Sequence, residues 1–572
     1  MRLLLLNFLL LHIPVLVSGQ PKIGPNVIPP EIAVTETVEW WTYLGGTNAD
    51  EFFGAALTPG NGVIVVGRTQ STDFPVTANA MQDTLAGSYD ACISRFDTMG
   101  NCLWSTYYGG TGFDGAYSAI YTDSGIIICG GTSSTDLPMM NAYQSANAGS
   151  YDAFLLLLND SGQLIRSTYF GATGGDQAFA LAIDTSGNIV IAGSSTAAGL
   201  PLASSGYQPT PAGAIDAFIA VFDLQLQPLW CTYYGGIGSE DIHTITVTPT
   251  GEIVFCGGTY SLNFPVTTDA YQGFLMGAPD VYMVRFGMDG TRHYATFLGG
   301  TSQEDCNAVV CDSAGKVYLS GFTFSSDFPI VGNSYQTTPE GQSEIFVACF
   351  DTAGQLNWST YIGKSGIESA FVAYRYGKYL YIGGTTESPN FPIGPEAFQA
   401  FYLGNSDAFI IKMDTSGTMI GGTFAGGGQI DVIYGLVVTT DTAVYACATT
   451  YSNNISVTPG AFQETYAGAG DGYVLKFSMG EELITGEFSE TVFYSGQIDL
   501  FPNPAADEVK IISEEKITLL KLLDLSGRVL FVRDDLLTNE FVFDIHLLLP
   551  GVYLVQIVLD SGVEQVQRLV KK

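Results

Sequence analysis

The amino-acid sequence predicts an all-β protein: a seven-bladed β-propeller of four-stranded blades, closed by the N-terminal strand and followed by a small C-terminal β-sandwich. Three observations predict this fold. The 572 residues are 46% apolar and 12% aromatic and include 68 glycines, a composition typical of many short strands and turns. A segment of 62 to 64 residues occurs seven times. After Phe477 the repeat stops and a region of different composition begins.

The N-terminal residues have the features of an export signal. Arg2 precedes an apolar run over residues 3–17, and the small residues Ser18 and Gly19 follow it. We interpret residues 1–19 as a signal peptide, because the run is shorter than the roughly 18 apolar residues that a membrane span needs. No later stretch is long and apolar enough to predict a transmembrane segment. Residues 20–37 are a proline-rich lead-in.

The repeats are marked by a strand that ends in an aromatic residue, one further residue and a glycine pair or a close variant. The first glycines are Gly45, Gly109, Gly171, Gly235, Gly299, Gly363 and Gly426. Each repeat contains four strand-like runs, in the second repeat at residues 116–121, 125–132, 152–158 and 164–170. Four strands repeated radially are typical of a propeller blade.

The two ends of the repeat region, residues 38–478, complement each other. The strand over residues 38–44 has no preceding partner, and the last repeat lacks the strand that normally follows residues 471–477. We predict that the N-terminal strand completes the last blade, because this removes two open sheet edges. An open array of seven hairpin units is the alternative.

These residues resemble a known family. The sequence STYYGG, a following acidic residue, an Ala-rich strand, Gly-Gly-Thr and Asp-Ala-Phe-Ile together resemble the SBBP repeats of secreted bacterial β-propellers, over residues 39–477. Arg166 departs from the pattern, since Trp40, Trp104, Trp230 and Trp358 stand at its position elsewhere. The resemblance implies a fold and an extracellular setting, but no reaction.

One carboxylate recurs four residues after the second residue of each glycine-type pair. The seven residues are Asp50, Asp114, Asp176, Glu240, Glu304, Glu368 and Asp431. If the following strand is innermost, they lie near one mouth of the central channel, where seven like charges need donors, solvent or a shared cation. Either each carboxylate accepts hydrogen bonds from its own glycine-rich loop, which predicts no cofactor, or the group binds calcium or a cationic ligand.

A second element consists of a small residue, an aromatic residue or Met, and then Gln. Its glutamines are Gln82, Gln144, Gln208, Gln272, Gln336, Gln399 and Gln463. Because it recurs in every repeat, we interpret it as a packing element with Gln capping a loop, and a sugar-stacking surface is the alternative. Ligand contacts are expected to differ between repeats, so variable stretches such as residues 273–279 are the candidates.

The remaining chemistry is sparse. The chain has 21 Lys and Arg against 56 Asp and Glu, a net charge of −35, which argues against nucleic acid as a partner. No nucleophile elbow, P-loop or zinc-protease motif occurs, so no catalytic residue is predicted. His243 and His293 are interpreted as isolated surface or strand histidines. The pairs Glu240-Asp241 and Glu304-Asp305 suggest glycoside hydrolysis only weakly, because adjacent residues of a strand point apart.

Nine cysteines show no paired spacing. Cys129, Cys256 and Cys447 occupy one repeat position, which is typical of a small buried residue. Cys306 and Cys311 lie five apart in one predicted strand, so their side chains should not meet. We expect mostly free thiols.

Residues 479–497 are an acidic connector, and residues 498–572 are predicted to form the small β-sandwich. Phe501-Pro502-Asn503-Pro504, Asp524-Leu525-Ser526-Gly527-Arg528 and Leu549-Pro550-Gly551-Val552-Tyr553 resemble the type A sorting domain of the type IX secretion system. Phe501 stands where Tyr is more usual. A generic immunoglobulin-like module is the alternative.

The resemblance implies export across the outer membrane of a Gram-negative bacterium. It implies contact with the secretion machinery through Pro502, Asn503, Pro504, Asp524, Gly527, Gly551 and Tyr553. Removal of this domain would then release the protein or attach it to the cell surface.

The sequence as a whole therefore predicts a secreted or surface-attached, noncatalytic binding or adhesion module whose glycan or protein ligand is unknown. A polysaccharide hydrolase or lyase and a structural component of the surface layer are the alternatives.

Overall fold

The computed structural model describes residues 37–201, 206–394, 397–479, 498–501, 508–523, 529–546, 548, 551–560 and 564–571. The chain divides into two compact units, Met1–Gly480 and Glu481–Lys572. The described residues are strands, turns and loops without a helix, and so none of them forms a helix that could cross a membrane. The predicted signal peptide, almost all of the lead-in and the connector lie outside the described residues, as do Pro502, Asn503, Pro504, Asp524 and Gly527.

The described part of the first unit consists of seven four-stranded antiparallel sheets. The first sheet contains β2 (Asp50–Leu57), β3 (Val63–Thr69), β4 (Asp90–Phe96) and β5 (Cys102–Tyr108), and the second contains β6 (Asp114–Thr122), β7 (Gly125–Thr132), β8 (Asp152–Leu158) and β9 (Leu164–Phe170). The third contains β10 (Asp176–Ile183), β11 (Ile189–Ser195), β12 (Asp216–Phe222) and β13 (Pro228–Tyr234), and the fourth contains β14 (Thr244–Val247), β15 (Ile253–Thr259), β16 (Asp280–Phe286) and β17 (Arg292–Leu298).

The fifth sheet contains β18 (Glu304–Cys311), β19 (Val317–Thr323), β20 (Glu344–Phe350) and β21 (Leu356–Ile362), and the sixth contains β22 (Glu368–Tyr376), β23 (Tyr379–Thr386), β24 (Asp407–Asp414) and β25 (Met419–Phe424). The seventh joins β26 (Asp431–Val438), β27 (Ala443–Thr450) and β28 (Asp471–Ser478) to the N-terminal strand β1 (Thr37–Leu44). β1 pairs antiparallel with β28, with Trp41 opposite Leu475, so the last repeat receives its fourth strand from the start of the chain.

The sheets contact one another in a closed circuit. Each first strand contacts the first strand of the next sheet, in the order β2, β6, β10, β14, β18, β22 and β26, and β26 contacts β2 again. Indole groups tie neighbouring sheets together: Trp104 Nε1 donates to the Asp160 carbonyl at 2.8 Å and Trp230 Nε1 to the Met288 carbonyl at 2.8 Å. Trp40 Nε1 makes the same contact from the seventh sheet to Thr98 of the first, at 3.1 Å.

The insert between the second and third strands covers the outer edge of every sheet. The carbonyl of each recurring Gln accepts a hydrogen bond from the amide of the fourth strand, for example Tyr107 N to Gln82 O at 3.1 Å. An open outer strand would present unpaired backbone groups to other chains. The recurring element is thus an edge cover.

The second unit is described over five strands: β29 (Ile498–Phe501), β30 (Glu508–Leu523), β31 (Val529–Asp544), β32 (Gly551–Leu559) and β33 (Glu564–Lys571). They are joined in one hydrogen-bonded sheet, in which the long strand β30 pairs with β29, β31 and β32. Val509, Ile511, Leu520, Val555 and Ile557 belong to its buried core. Gly551 begins β32 and Tyr553 is half-buried.

Candidate functional site

The first strands of all seven sheets line a cavity of about 140 Å³ at the centre of the circuit. Six of these strands carry a β-bulge, and the bulged residue lines the cavity. The corresponding residue of the fourth sheet, just before β14, is His243. The seven residues at this position are Phe53, Tyr117, Phe179, His243, Asn307, Phe371 and Tyr434.

Five of these seven residues form a continuous aromatic belt. Ring centroids are 5.0 Å apart for Phe371 and Tyr434, 5.7 Å for Tyr434 and Phe53, 5.4 Å for Phe53 and Tyr117, and 5.3 Å for Tyr117 and Phe179. These spacings are typical of favourable ring packing. The belt is interrupted at the fourth and fifth sheets, where His243 and Asn307 take the aromatic position.

Next to this interruption lies a cluster of Asp241, His243 and Asp305, which we call the mouth cluster. Each residue offers one ligand atom, and these atoms all lie within 4.8 Å of one another. His243 Nε2 is 3.1 Å from Asp305 Oδ2, and His243 and Asp305 are only 4% and 5% exposed. Asp305 Oδ1 is buried and has no hydrogen-bond partner within the described part of the chain.

The mouth cluster corrects the interpretation of His243 as an isolated surface or strand histidine. In the mouth cluster, Asp241 lies close to Asp305 of the next sheet and is not paired with its chain neighbour Glu240. His293 does lie at the surface, with Nδ1 2.7 Å from Glu252 Oε1. The sequence signal for His243 was its place at an aromatic repeat position.

The mouth cluster has an unbalanced charge. Burial and the charge of Asp305 together raise the pKa of the Asp241 carboxyl to about 6, and His243 opposes both. At the same position of the first sheet, Glu51 instead forms a buried ion pair with Arg68, its cross-strand partner on β3. Asp241 and Asp305 face Gly258 and Phe322 at that register position, so neither has a cross-strand cation.

The seven predicted channel-mouth carboxylates are buried; six of them begin the first strands, and Glu240 lies in the segment before β14. Each accepts a hydrogen bond from the amide four residues earlier, in its own loop, as Asp114 Oδ2 does from Gly110 at 2.8 Å. The Ser134 hydroxyl adds a bond of 2.7 Å to the same oxygen. Burial raises the pKa of Asp114 to about 6 and that of Asp50, Glu240 and Glu304 to about 7. Of the two alternatives that the sequence leaves open, this is the one in which each carboxylate accepts hydrogen bonds from its own glycine-rich loop.

A second set of seven buried carboxylates, absent from the sequence analysis as a site, begins the third strands. They are Asp90, Asp152, Asp216, Asp280, Glu344, Asp407 and Asp471. Asp90 accepts bonds from the amides of Ala86 and Gly87 at 2.9 and 3.0 Å and from Gln82 Nε2 at 2.6 Å. The recurring Asp-Ala-Phe motif marks these carboxylates in the sequence, but nothing in the motif indicates that another carboxylate lies nearby.

Carboxylates of the two sets meet at the first glycine of the glycine-type pair in four repeats, at Gly45, Gly235, Gly299 and Gly363. A Cβ atom on Gly109 would lie 2.3 Å from Asp90 Cγ, and one on Gly363 would lie 2.0 Å from Glu344 Oε2 and 2.5 Å from Glu368 Oε2. The recurring Gln closes this arrangement, since Gln82 Oε1 accepts from Gly109 N at 2.9 Å. Glycine recurs here because no side chain fits between the carboxylates.

Aromatic residues of the recurring Gln element anchor the inserts to the next sheet. The Phe462 ring is 5.8 Å from Phe96, and the Tyr207 ring is 5.8 Å from Phe286. These contacts favour the packing interpretation over a sugar-stacking surface.

Large exposed apolar side chains concentrate in loops around the fourth sheet. Phe274 and Met276 lie within the variable stretch 273–279, and Phe274 is 66% exposed. Ile237, Tyr260 and Leu262 lie in two adjoining loops, which the bond from Tyr260 N to Ser239 O at 3.0 Å connects, and Leu262 is 80% exposed. We call these five residues the fourth-sheet patch. Burial raises the pKa of Tyr260, and the charges of Asp241 and Asp305 add to it, so the patch borders the mouth cluster.

One further structural feature joins the fourth and fifth sheets: Cys256 and Cys306 form a disulfide. Cys256, expected to be a buried thiol without a bridge, is therefore an exception. Cys92, Cys102, Cys231, Cys311 and Cys349 are free thiols, as expected for most cysteines.

Comparison with known proteins gives partial relatives. An uncharacterized WD repeat-containing protein of Acanthamoeba polyphaga mimivirus is 27% identical over 184 residues, which are 27% of this chain and 13% of that protein. The regulatory protein FlaEY of Caulobacter vibrioides is 23% identical over 357 residues, 58% of this chain and 35% of that protein. The chain thus spans well under half the length of either relative.

Among solved structures, the phage phi92 endosialidase has a TM-score of 0.36 at 10% identity, with 93% of this chain and 79% of that chain covered. The α-L-arabinanase of Penicillium chrysogenum has a TM-score of 0.36 at 12% identity, with 66% and 98% covered.

Two families match parts of the chain, and they are the two families that the sequence resembles. Residues 165–201 match the β-propeller repeat, and residues 499–572 match the secretion system C-terminal sorting domain. This chain therefore carries an SBBP β-propeller repeat and a sorting tail of the type IX secretion system, which delivers the protein to the cell surface or the exterior.

Proposed function

We propose that the first unit is a noncatalytic, closed seven-bladed β-propeller that acts outside the cell as a binding or adhesion module. The seven sheets are its blades, and the aromatic belt lines the cavity at its centre. The closed circuit of first strands and the pairing of β1 with β28 support the closure. In the second unit, the pairing of β30 with β31 shifts register between Ile512 and Ile517, an irregularity at which one sheet can fold into the two layers of a sandwich.

The observation that carries the binding proposal is the fourth-sheet patch. The residues that recur in every repeat make structural contacts. The carboxylates accept hydrogen bonds from loop amides, the glutamines hold the loops together, and the aromatic residues anchor the inserts. Phe274, Met276 and Leu262 are exposed and lie in loops that differ between repeats. Exposed apolar side chains in variable loops are typical of a binding surface. An extracellular glycan or protein ligand contacts this patch.

A binding array tests the proposal on the full mature chain, with immobilised glycans and extracellular matrix proteins. The double variant Phe274→Ser, Met276→Ser should lose at least about tenfold in affinity, because apolar anchors near the centre of a binding surface carry most of its energy. Tyr143→Ser is the matched control, since Tyr143 is 46% exposed but belongs to the recurring element. Equal binding by both variants and the wild type would refute the patch as the site.

A polysaccharide hydrolase is the second candidate, and the facing carboxylates of Asp241 and Asp305 are the observation that favours it. Glycoside hydrolysis needs two carboxyl groups, one of them with a raised pKa, and Asp241 has such a pKa. Release of reducing sugars from a polysaccharide panel, abolished by Asp241→Asn, would support this candidate. No turnover by the wild type on the polymers that it binds would exclude it for those polymers.

A further inference from the structure

We propose that Asp241, His243 and Asp305 bind one divalent first-row transition ion, such as Zn²⁺, at the mouth of the central channel. This inference is independent of the ligand proposed above, because it concerns the mouth cluster and not the fourth-sheet patch.

The donor set has the composition of such a site. One imidazole nitrogen and two carboxylates lie with their ligand atoms within 4.8 Å of one another. Imidazole with carboxylate oxygen suits Zn²⁺ and its neighbours in the first transition row, whereas Ca²⁺ and Mg²⁺ prefer oxygen alone. Three protein ligands leave a coordination position for water or for an oxygen of a bound molecule.

A buried oxygen in the cluster lacks a partner. His243 Nε2 contacts Asp305 Oδ2, and Asp305 Oδ1 has no hydrogen-bond partner among the residues that the structure describes. An unsatisfied buried acceptor destabilises the folded protein, and it does so more strongly when it is charged. The contact with His243 therefore explains one oxygen of this carboxylate, and a bound cation accounts for the other.

The charge of the cluster also favours a bound cation. Asp241 and Asp305 are two neighbouring acids, and the only basic group in contact with them in the cluster is the imidazole of His243. The first sheet shows how this fold neutralises one acid at the same place: Arg68 pairs with Glu51 and its guanidinium carbon lies 4.9 Å from the centre of the Tyr89 ring. With Gly258 and Phe322 in the place of Arg68, the mouth cluster lacks this cation.

His243 also stands at a position that is Phe or Tyr in five of the repeats, and packing does not require a histidine there. Phe or Tyr occupies five of the seven corresponding positions around the cavity, and His243 lies between Phe179 and Asn307. A phenyl ring there would continue the belt, whereas an imidazole interrupts it and faces an acid. The backbone is held in place as well, since the buried Tyr282 hydroxyl donates to the Asp241 carbonyl at 2.8 Å.

The test is metal titration of the full mature chain after treatment with a chelator. Calorimetry with Zn²⁺ and the visible absorption of added Co²⁺ should both report one ion per chain, and excess Ca²⁺ should not displace it. His243→Phe places the residue of the neighbouring repeats in the belt and removes the nitrogen ligand. Asp305→Asn and Asp241→Asn keep the side-chain shape and remove the charges.

Each of these variants should weaken Zn²⁺ binding by more than the roughly 10- to 100-fold that loss of an outer hydrogen-bond partner causes. His293→Gln is the matched control, because it breaks the other histidine and carboxylate pair at an exposed place, and it should bind Zn²⁺ as the wild type does. Thermal unfolding of every variant separates loss of a ligand from loss of the fold. Absence of a one-to-one complex in the wild type would overturn the proposal, as would equal affinity in folded His243→Phe and Asp305→Asn, and the cluster would then be a hydrogen-bonded contact only.

Discussion

Fourteen buried carboxylates, seven at the first strands and seven at the third strands, determine how the folded protein responds to pH. Burial is the largest cause that raises the pKa of each one, and in several pairs the neighbouring acid adds to it, as Asp90 does for Asp114. The pKa of Asp50 and of Asp407 is raised to about 7. Unfolded aspartate and glutamate titrate near about 4, so the folded protein binds more protons than the unfolded chain between these values.

We therefore predict that the chain is more stable at pH 5 than at pH 8. A raised acid pKa contributes stability that is present below the unfolded value and is lost as pH rises through the folded value, here about 6 to 7. Urea unfolding at both pH values measures this, with the midpoint expected to be higher at pH 5. A midpoint that is lower at pH 5 would contradict the prediction.

The double variant Asp90→Asn, Asp114→Asn separates the buried pairs from the general relief of a net charge of −35. It removes one pair at nearly constant volume, so its midpoint should vary less with pH than that of the wild type. Asp73→Asn changes an exposed acid with a lowered pKa and serves as the control.

Gly109 carries a steric prediction at the same place. A methyl group there would lie 2.3 Å from Asp90 Cγ, and the buried carboxylate cannot move without losing its amide donors. Gly109→Ala should lower the free energy of unfolding by about 1–3 kcal/mol, the range for overpacking. In Gly421→Ala the new atom meets nothing within 4 Å, so this control should stay near the wild type. Equal denaturant midpoints for the two variants would show that the glycine is not required.

At the scale of elements, neighbouring sheets are joined by side chains that reach from one repeat to the next. The indoles of Trp40, Trp104 and Trp230 donate to turns of the following sheet, and the Tyr294 hydroxyl donates to the Gly354 carbonyl at 2.6 Å. The fourth and fifth sheets have a covalent connection as well, between Cys256 of β15 and Cys306 of β18. These two sheets also hold the mouth cluster.

Loss of this disulfide should be measurable. A bridge across 50 residues stabilises by about 4 kcal/mol in the chain-entropy description. The double variant Cys256→Ala, Cys306→Ala should therefore unfold at clearly lower urea concentration than the control Cys231→Ala, which removes one buried free thiol. Mass spectrometry of the mature protein should find this bridge and unmodified thiols at Cys92, Cys231 and Cys349. Four fully occupied bridges would refute this cysteine assignment.

At the scale of the whole molecule, the sorting tail carries a prediction about export. We predict that deletion of residues 498–572 leaves a folded protein that stays in the periplasm, because the tail is the part that the secretion system recognises. Cell fractionation and protease treatment of intact cells locate the protein, and an unrelated periplasmic reporter fused to residues 498–572 is the converse control. Truncated protein at the cell surface would show that sorting does not depend on the tail.

Much of the architecture could be predicted because it repeats. Seven copies of a glycine-type pair indicate seven sheets, and the incomplete first and last repeats indicate that β1 joins β28. The prediction was wrong for His243 and for Cys256, since both take their roles from a residue of the next repeat. His293 is exposed and lies in β17, so the interpretation of it as a surface or strand histidine was right.

The sequence by itself determined the strand content, the repeat, the acidic character and the sorting tail, because these depend on local patterns and on motifs within one stretch of chain. Only the tertiary structure decided which side chains meet. His243 and Asp305 are 62 residues apart in the chain and 3.1 Å apart in space, and the charge of Asp90 in the first sheet raises the pKa of Asp114 in the second. A repeat of four strands places corresponding residues of neighbouring sheets side by side around the channel. The contacts that could bind a cation or take up protons therefore form between repeats.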